Sequence, residues 1–422
     1  MAIPQHHADA IVDPKAYQDA APVDEAFAAI RRDHPFDVAH PQGYAPFWVA
    51  SRHADIVEIE RQPDLFHAGD RPTVLANREA EQMAYAFTGE PNLIRSLVSI
   101  DGMEHKQIRA VTFSAFTPAA IRKWEEVVRT LARRTVDEMV ARAPECDFAA
   151  DIAFLYPLRV VMRVLGVPDE DQPMMLKLTQ EIFSSNDPEL NRNRQEVTPA
   201  EAMAQLNQTM LDLEAYFGKV TEKLRADPDG SVNSLIANAR IGDDYLNRRQ
   251  LMGYYIIAAT AGHDTTSNAL AGAMWAMAQD RAILPDLQAD PGLIPGFIEE
   301  SIRWTTPVKH FMRTATADTQ VAGRDVAKGD WIMLSYHSAN RDEAAFADPF
   351  TFDHRRKPNK QIAFGYGPHV CLGQHLARME NRILWEEMLP RLKSLELAGT
   401  PELTRSNFVC GPKHVPIRFS VH

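Results

Sequence analysis

Cysteine is nearly missing from this chain of 422 residues: there are three, Cys146, Cys371 and Cys410. So few and so scattered, they exclude a disulfide framework and fit a reducing compartment, where a lone thiol is packed core, metal ligand or nucleophile. The opening, MAIPQHHADAIVDPKAY, lacks the basic segment followed by an apolar one that marks a secretory signal. No apolar run approaches the roughly 18 residues of a membrane span. Positive charge is also in deficit. Against 57 Asp and Glu stand 45 Lys and Arg, and the net charge of −12 excludes a general nucleic-acid binder. There is no internal repeat and no low-complexity linker. The expectation is a cytoplasmic, monomeric globular protein with no membrane and no nucleic-acid partner, its 45% hydrophobic content ample for a core.

What is present is mostly helical pattern. Apolar residues recur at three- and four-residue spacing in HADIVEIERQ, AAIRKWEEVVRTLARRTVDEMVARA, LRVVMRVLG and MAQLNQTMLDLEAYFGKVTEKLRA. Tyr245 to Asp280 reads as one long helix, spanning roughly 50 Å at 1.5 Å per residue. Its centre, YYIIAATAG, is apolar on all sides and must be buried. Residues 183–200 are polar and turn-rich, and read as a long mobile surface loop. Strand signals concentrate at 35–55, around the turn Pro41-Gln42-Gly43, and at 315–340, with a further β-rich part at 400–422. The prediction is a mainly α chain with a smaller β region, folded as one domain over residues 1–422.

The stretch FGYGPHVCLG, Phe364 to Gly373, sets Cys371 among three glycines, a proline and a histidine. Three chemistries could use it. A nucleophilic cysteine needs a base in reach, and His369 is two residues away. A zinc ligand needs companions at metal-ligand spacing, and no CxxC or HxxxH pair is near. A haem thiolate needs a single sulfur, a close backbone approach and amides aimed at the sulfur. Gly365, Gly367 and Gly373 permit that approach. The segment from Leu372, LGQHLARMENRILWEEML, reads as a helix whose positive end favours a thiolate.

Phe364, Gly367, Cys371 and Gly373 fill the pattern Phe-x-x-Gly-x-x-x-Cys-x-Gly, which closely resembles the haem-binding loop of the cytochrome P-450 superfamily. The resemblance continues elsewhere, in the family's order, over almost the whole chain. Ala261-Gly262-His263-Asp264-Thr265-Thr266 is similar to the family's oxygen-activation motif. Ala261 and Thr265, four apart, share a helix face, and the small residues 261 and 262 leave room for dioxygen beside a haem. The Thr265 hydroxyl can bond a carbonyl one turn back and open the helix locally. The resemblance gives Asp264 and Thr265 the catalytic delivery of protons. Glu300 and Arg303 resemble Glu-x-x-Arg, a structural ion pair. Its usual third partner, an arginine ahead of a phenylalanine, is replaced by Thr351 in Pro349-Phe350-Thr351-Phe352, so the clamp is expected to be altered. Neither Arg355 nor Arg356 is assigned its role.

The segment Asp101 to Arg109 resembles the family's Asp-Pro-Pro-x-His-x-x-x-Arg, with Gly102 and Met103 in place of the prolines, a change expected to loosen the helix start. His105 and Arg109, together with Arg313 and His369, are implied to bind the two haem propionates, because buried carboxylates need compensating donors.

The resemblance implies a cytochrome P-450 fold, a single triangular prism with a long central helix over haem b, an iron protoporphyrin IX held by an axial Cys371 thiolate. The implied reaction is RH + O2 + 2e⁻ + 2H⁺ → ROH + H2O. Electrons come indirectly from NAD(P)H, through a ferredoxin reductase and an iron–sulfur ferredoxin docking on the cysteine side near Lys106, Arg109 and Arg378. The substrate pocket is placed at Ile256, Ile257 and Thr260 of the long helix, at Pro307, Val308 and Phe311, and at Phe408 and Val409. Residues 80–98, with Met83, Tyr85, Phe87 and Leu93, form its lid. The substrate is then a neutral hydrophobic small molecule, terpenoid first, then steroid, aromatic or alicyclic hydrocarbon. Competing readings are a peroxide-driven peroxygenase, a non-catalytic haem-thiolate sensor, and a cysteine hydrolase of Cys371 and His369. The Asp264-Thr265 pair speaks for the oxygen-activating enzyme.

Overall fold

Five strands from two distant parts of the chain, residues 36–67 and 310–335, meet in one sheet. The computed structural model describes residues 2–422, and its strand order runs Phe36–Ala39, Phe47–Ala50, Trp331–Ser335, His310–Ala315, Phe66–His67. Trp331–Ser335 is the middle strand, parallel to Phe47–Ala50 and antiparallel to His310–Ala315. All of its residues are buried, as expected of a strand covered on both faces. The strand begun at His310 lies partly ahead of the expected 315–340 region, and it carries Arg313. A second sheet joins Leu392–Leu397, Pro416–Val421 and Glu145–Asp147 near the C-terminus. Helices make up most of the remainder, so the chain is mainly α with a smaller β part. Among the described residues, no helix is long and apolar enough to cross a membrane.

The expected long helix from Tyr245 to Asp280 is two helices, Arg248–Ala261 and Asp264–Gln279. The break falls at Gly262 and His263. There the Thr265 hydroxyl donates to the Ala261 carbonyl at 2.7 Å and the Ser267 hydroxyl to that of His263 at 2.9 Å. Side-chain hydroxyls that bond carbonyls a turn back bend helices. Tyr245 itself belongs to a short strand, Asp244–Tyr245. The expected helix over 119–143 likewise divides, into Pro118–Arg122 and Glu125–Val140.

The segment read as a long mobile loop is organised by one buried carboxylate. Asp187, fully buried, accepts hydrogen bonds from the Arg405 and Glu189 amides at 2.9 and 3.0 Å and from Lys413 Nζ at 3.2 Å. Asn191 Oδ1 accepts the Asn193 amide at 3.1 Å, folding the loop on itself. The helix Pro199–Ala226 then begins with a capping box between Thr198 and Glu201. Through Asp187 the loop is tied to the C-terminal residues 405–413, which carry Phe408 and Val409. Removing Asp187 leaves the Arg405 amide without its acceptor and the buried Lys413 with only the half-exposed Glu189, at 2.9 Å. Asp187→Ala is therefore expected to lower the unfolding free energy by about 3 kcal/mol, read from urea denaturation.

Candidate active site

The cysteine loop closes on itself and leans on two neighbours. The Cys371 amide donates to the Phe364 carbonyl at 2.8 Å. Gly367 has φ +67°, and a Cβ there would stand 2.2 Å from the Glu60 carbonyl oxygen, so only glycine allows the loop to lie on the end of the helix His53–Glu60. Arg109 Nη2 donates to the Val370 carbonyl at 2.7 Å. The Arg378 guanidinium lies over the Phe364 ring at 4.4 Å and pairs with Glu299 at 2.5 Å. Burial pushes the Cys371 thiol up, while the Gly373 amide, Arg109 and Arg378, and the Gln374 amide oppose it. These groups favour the sulfur as an anion, and the helix Gln374–Met388 starts directly behind them. His369 faces Asp101 (3.6 Å) and the His105 ring (4.2 Å between centroids), not a thiol in need of a base.

Cys371 and Gly373 line a cavity of about 710 Å³, together with Phe364, Arg109, Arg313 and His369. His105 stands behind His369 rather than in the wall, and its buried Nε2 has no partner. Burial, then the neighbouring His369 and Arg109, hold the His105 imidazolium down to about 4. Burial lowers His369 as well, against its bond to Asp101. Arg313 donates to the Met312 carbonyl at 2.9 Å and to Glu60 at 3.4 Å, which leaves donors of its five unused. Buried cations and an orphaned imidazole nitrogen are a deficit that an anion corrects. The set fits haem: Cys371 would supply the sulfur ligand, and Arg109, Arg313 and His369 would meet its carboxylates, with His105 behind His369.

Asp101 does not cap the helix it precedes. Its carboxylate accepts the Ala68 and Gly69 amides at 2.9 and 2.8 Å. Gly102, with φ +58°, is the first residue of the helix Gly102–Phe113, a conformation closed to the proline that the family pattern puts there. The first turn of the helix nonetheless closes, with the His105 amide donating to the Asp101 carbonyl at 3.2 Å. Met103 is left 65% exposed.

Across the cavity, Ala261, Gly262 and Thr265 form the wall at the helix break. His263 is turned away, with Nε2 2.8 Å from the Phe154 carbonyl and Nδ1 3.0 Å from Thr179 Oγ1. Asp264 lies behind the wall. Its Oδ1 is 3.4 Å from His263, its Oδ2 is buried without a partner, and burial holds its carboxyl above the usual range against the opposing His263. Beside it, Thr266 hydrogen-bonds Glu380, whose carboxyl burial holds well above the usual range. Sequence reasoning missed Glu380. The signal was available: with Leu376, Met379 and Ile383 it occupies the apolar stripe of its helix.

Ile256, Ile257 and Thr260 extend the wall along the first half of the broken helix, with Met83 and Leu93 opposite. Pro307, Val308 and Phe311 face Phe408 and Val409. The two segments are pinned by a Val308–Val409 bridge, by the Lys309 amide on the Phe408 carbonyl (2.8 Å) and by the Cys410 amide on that of Pro307 (2.9 Å). Phe87 does not reach the cavity. It sits in the last turn of Arg78–Thr88, past Ala80, Met83 and Ala84, and is 57% exposed; Tyr85 is 50% exposed.

Glu300 and Arg303 form a fully buried bidentate pair, both bonds 2.7 Å, and Arg303 also holds the Asn340 and Pro349 carbonyls. The third partner is Arg356. Its Nε reaches both Glu300 oxygens at 3.1 Å, and its Nη2 the Thr351 carbonyl at 3.0 Å. Thr351 thus contributes a carbonyl where an arginine was expected, and the guanidinium arrives from position 356. Arg355 turns outward to Asp286. Of the three cations expected to face a ferredoxin, Lys106 is exposed, Arg378 is 33% exposed and paired with Glu299, and Arg109 is bonded to the Val370 carbonyl.

One cysteine sulfur in a mainly apolar cavity, faced by a helix broken beside an acid and an alcohol, defines a haem-thiolate oxygenase. The chain matches the Cytochrome P450 family over residues 45–291 and 292–418, and it belongs to that family. It is 43% identical to cytochrome P450-terp of a Pseudomonas species, over 99% of this chain and 98% of that protein. It is 29% identical to linalool 8-monooxygenase of Pseudomonas putida, over 96% and 97%. The crystal structure of CYP108D1 from Novosphingobium aromaticivorans superposes with a TM-score of 0.92 at 39% identity, covering all of both chains. The protein is a cytochrome P450 monooxygenase with terpene-related homologues.

The assignment of Arg356 separates it from its neighbour. Arg356→Ala is expected to cost about 3 kcal/mol of stability, since it strips a buried carboxylate of a partner. Arg355→Ala, at an exposed pair, is expected to melt with the wild type. Parallel thermal melts of the two variants check this.

Proposed function

We propose that this monooxygenase hydroxylates a neutral terpenoid of small size, as a cytoplasmic single-domain monomer fed by NAD(P)H through a ferredoxin reductase and a ferredoxin. The observation that carries the substrate class is the cavity wall beyond Thr265. Ile257, Val308, Phe408 and Val409 converge there with no charged side chain among them; the charged lining lies elsewhere, Arg109, Arg313 and Glu60 on the cysteine side and Glu380 beside Thr266. The name of the relative at 43% identity, P450-terp, supports terpenoids ahead of steroids, since the steroid C26-monooxygenases stand at 31% and 32%.

Haem, when bound at Cys371, supplies the oxygen-binding iron and the oxidising power for the C–H bond. The chain's own part is orientation, dryness and protons. Thr265 spends its hydroxyl hydrogen on the Ala261 carbonyl, so its oxygen is free to accept a proton-bearing group from the cavity. Asp264, held above the usual carboxyl range by burial, retains its proton further toward neutral pH and can pass it past the helix break. The orphaned oxygens of Glu380 and Asn381, both in the cavity lining, call for ordered water on the same side. The apolar roof keeps other water out. The acid–alcohol pair supports dioxygen rather than peroxide as oxidant.

Two outcomes are expected. Asp264→Asn lowers product formation by roughly 100-fold, the scale of a lost general acid, and Thr265→Ala diverts consumed oxygen to peroxide; oxygen uptake against product checks both. In the wild type, monoterpene alcohols are expected to shift the Soret band and to be hydroxylated in a reconstituted ferredoxin system. A shift and product with steroids alone would overturn the substrate class.

A further inference from the structure

The helix His53–Glu60 ends on a carboxyl group inside the cavity wall, and nothing derived so far uses it. The Glu60 side chain is 1% exposed. Its Oε1 accepts the Tyr336 hydroxyl at 2.7 Å and, at 3.4 Å, Arg313 Nη2. Its Oε2 is buried without a partner. The cysteine loop is close on the other side: a Cβ on Gly365 would stand 3.5 and 3.9 Å from the two carboxyl oxygens.

The two oxygens are therefore in different states of need. Oε1 is served by two donors and behaves as the carbonyl oxygen. Oε2 has none, and an ionised oxygen without a donor in a buried wall is costly. A third negative charge on Arg313, beside the carboxylates of a bound haem, would add like-charge repulsion at low dielectric. A neutral carboxyl resolves both difficulties, since its Oε2–H becomes a donor in need of an acceptor. We propose that Glu60 is a haem-positioning residue: as the neutral acid it donates from Oε2 to a haem carboxylate, and both groups share Arg313. Burial, the dominant influence, also holds the carboxyl above its usual range, against Arg313, the Tyr336 hydroxyl and the Tyr366 amide. The inference rests on haem filling this cavity.

The test compares purified holoprotein of the wild type, Glu60→Gln and Glu60→Leu. Glu60→Gln stays neutral and keeps an N–H donor where the acid had O–H; Glu60→Leu removes it. Haem transfer to excess apomyoglobin is expected to stay within about twofold of wild type for Glu60→Gln and to run about tenfold faster for Glu60→Leu, the scale of one hydrogen bond to a charged group. The reduction potential of Glu60→Gln is expected to match the wild type. A rise in that potential would show that the wild type carries a negative charge at 60, and would overturn the proposal; so would haem retention by Glu60→Leu equal to wild type. Where Glu60→Leu does not fold, the Glu60→Gln potential decides alone. Wild-type protein that takes up no haem would instead sink the reading of the whole site, and this one with it.

Discussion

The fold is organised around the problem of keeping one sulfur anion out of water. Burial opposes the Cys371 thiolate, and every polar group near it works in the other direction: the amides of Gly373 and Gln374, the helix start behind them, and the guanidinium groups of Arg109 and Arg378. None of these is spare. Arg109 also holds the Val370 carbonyl, and Arg378 also stacks on Phe364. The charges that stabilise the sulfur are the same ones that fix the loop's shape, so geometry and acidity cannot be varied independently.

A loop held this way needs a frame that does not move. The Glu300–Arg303–Arg356 cluster supplies one end of it, by gathering the carbonyls of Asn340, Pro349 and Thr351 around two guanidinium groups. Asn340 then accepts the Ile362 amide at 2.9 Å, two residues before Phe364. Arg303 and Glu300 are fully buried and would be expensive alone. Surrounded by carbonyl acceptors and a second arginine, they form a rigid joint between the helix Ile294–Thr305 and the segment that leads into the cysteine loop.

Local pattern was enough to read the chemistry. The glycines of the cysteine loop, the small residues before Asp264 and Thr265, and the helical and strand-forming stretches all act within a few residues of themselves. Features set by distant contacts stayed hidden. Arg356 is one of two adjacent arginines, and only the folded path of residues 347–356 shows which reaches Glu300. Phe87 has the right spacing for the cavity face but lies past the end of the wall. Residues 184–198 look solvated because their anchor, Asp187, finds Lys413 and the Arg405 amide more than two hundred positions away. Glu60 shares the apolar stripe of its helix with Ile56 and Ile59, as Glu380 does in its own, but nothing local tells that it meets Arg313 and Tyr336. The break in the long helix was half legible: the Thr265 hydroxyl suggested a local opening, but a complete interruption depends on what lies behind it.

That support is His263. Breaking a helix forfeits backbone hydrogen bonds, and the Thr265 hydroxyl recovers part of the loss by taking the Ala261 carbonyl. The Ser267 hydroxyl adds a second donor to the His263 carbonyl, which already holds the Ser267 amide at 3.0 Å. Hydroxyls alone leave the direction of the opening undetermined. His263, fully buried, is held on its far side at Phe154 and Thr179, so the backbone is drawn away from the cavity and the space appears in front of Ala261 and Thr265. A Cβ on Gly262 would meet Val161 at 2.9 Å, which limits how far the withdrawn backbone can be padded. The same displacement carries Asp264 behind the wall and leaves its Oδ2 without a protein partner. Room for a small molecule and a buried acid beside it are thus two results of one mechanical act.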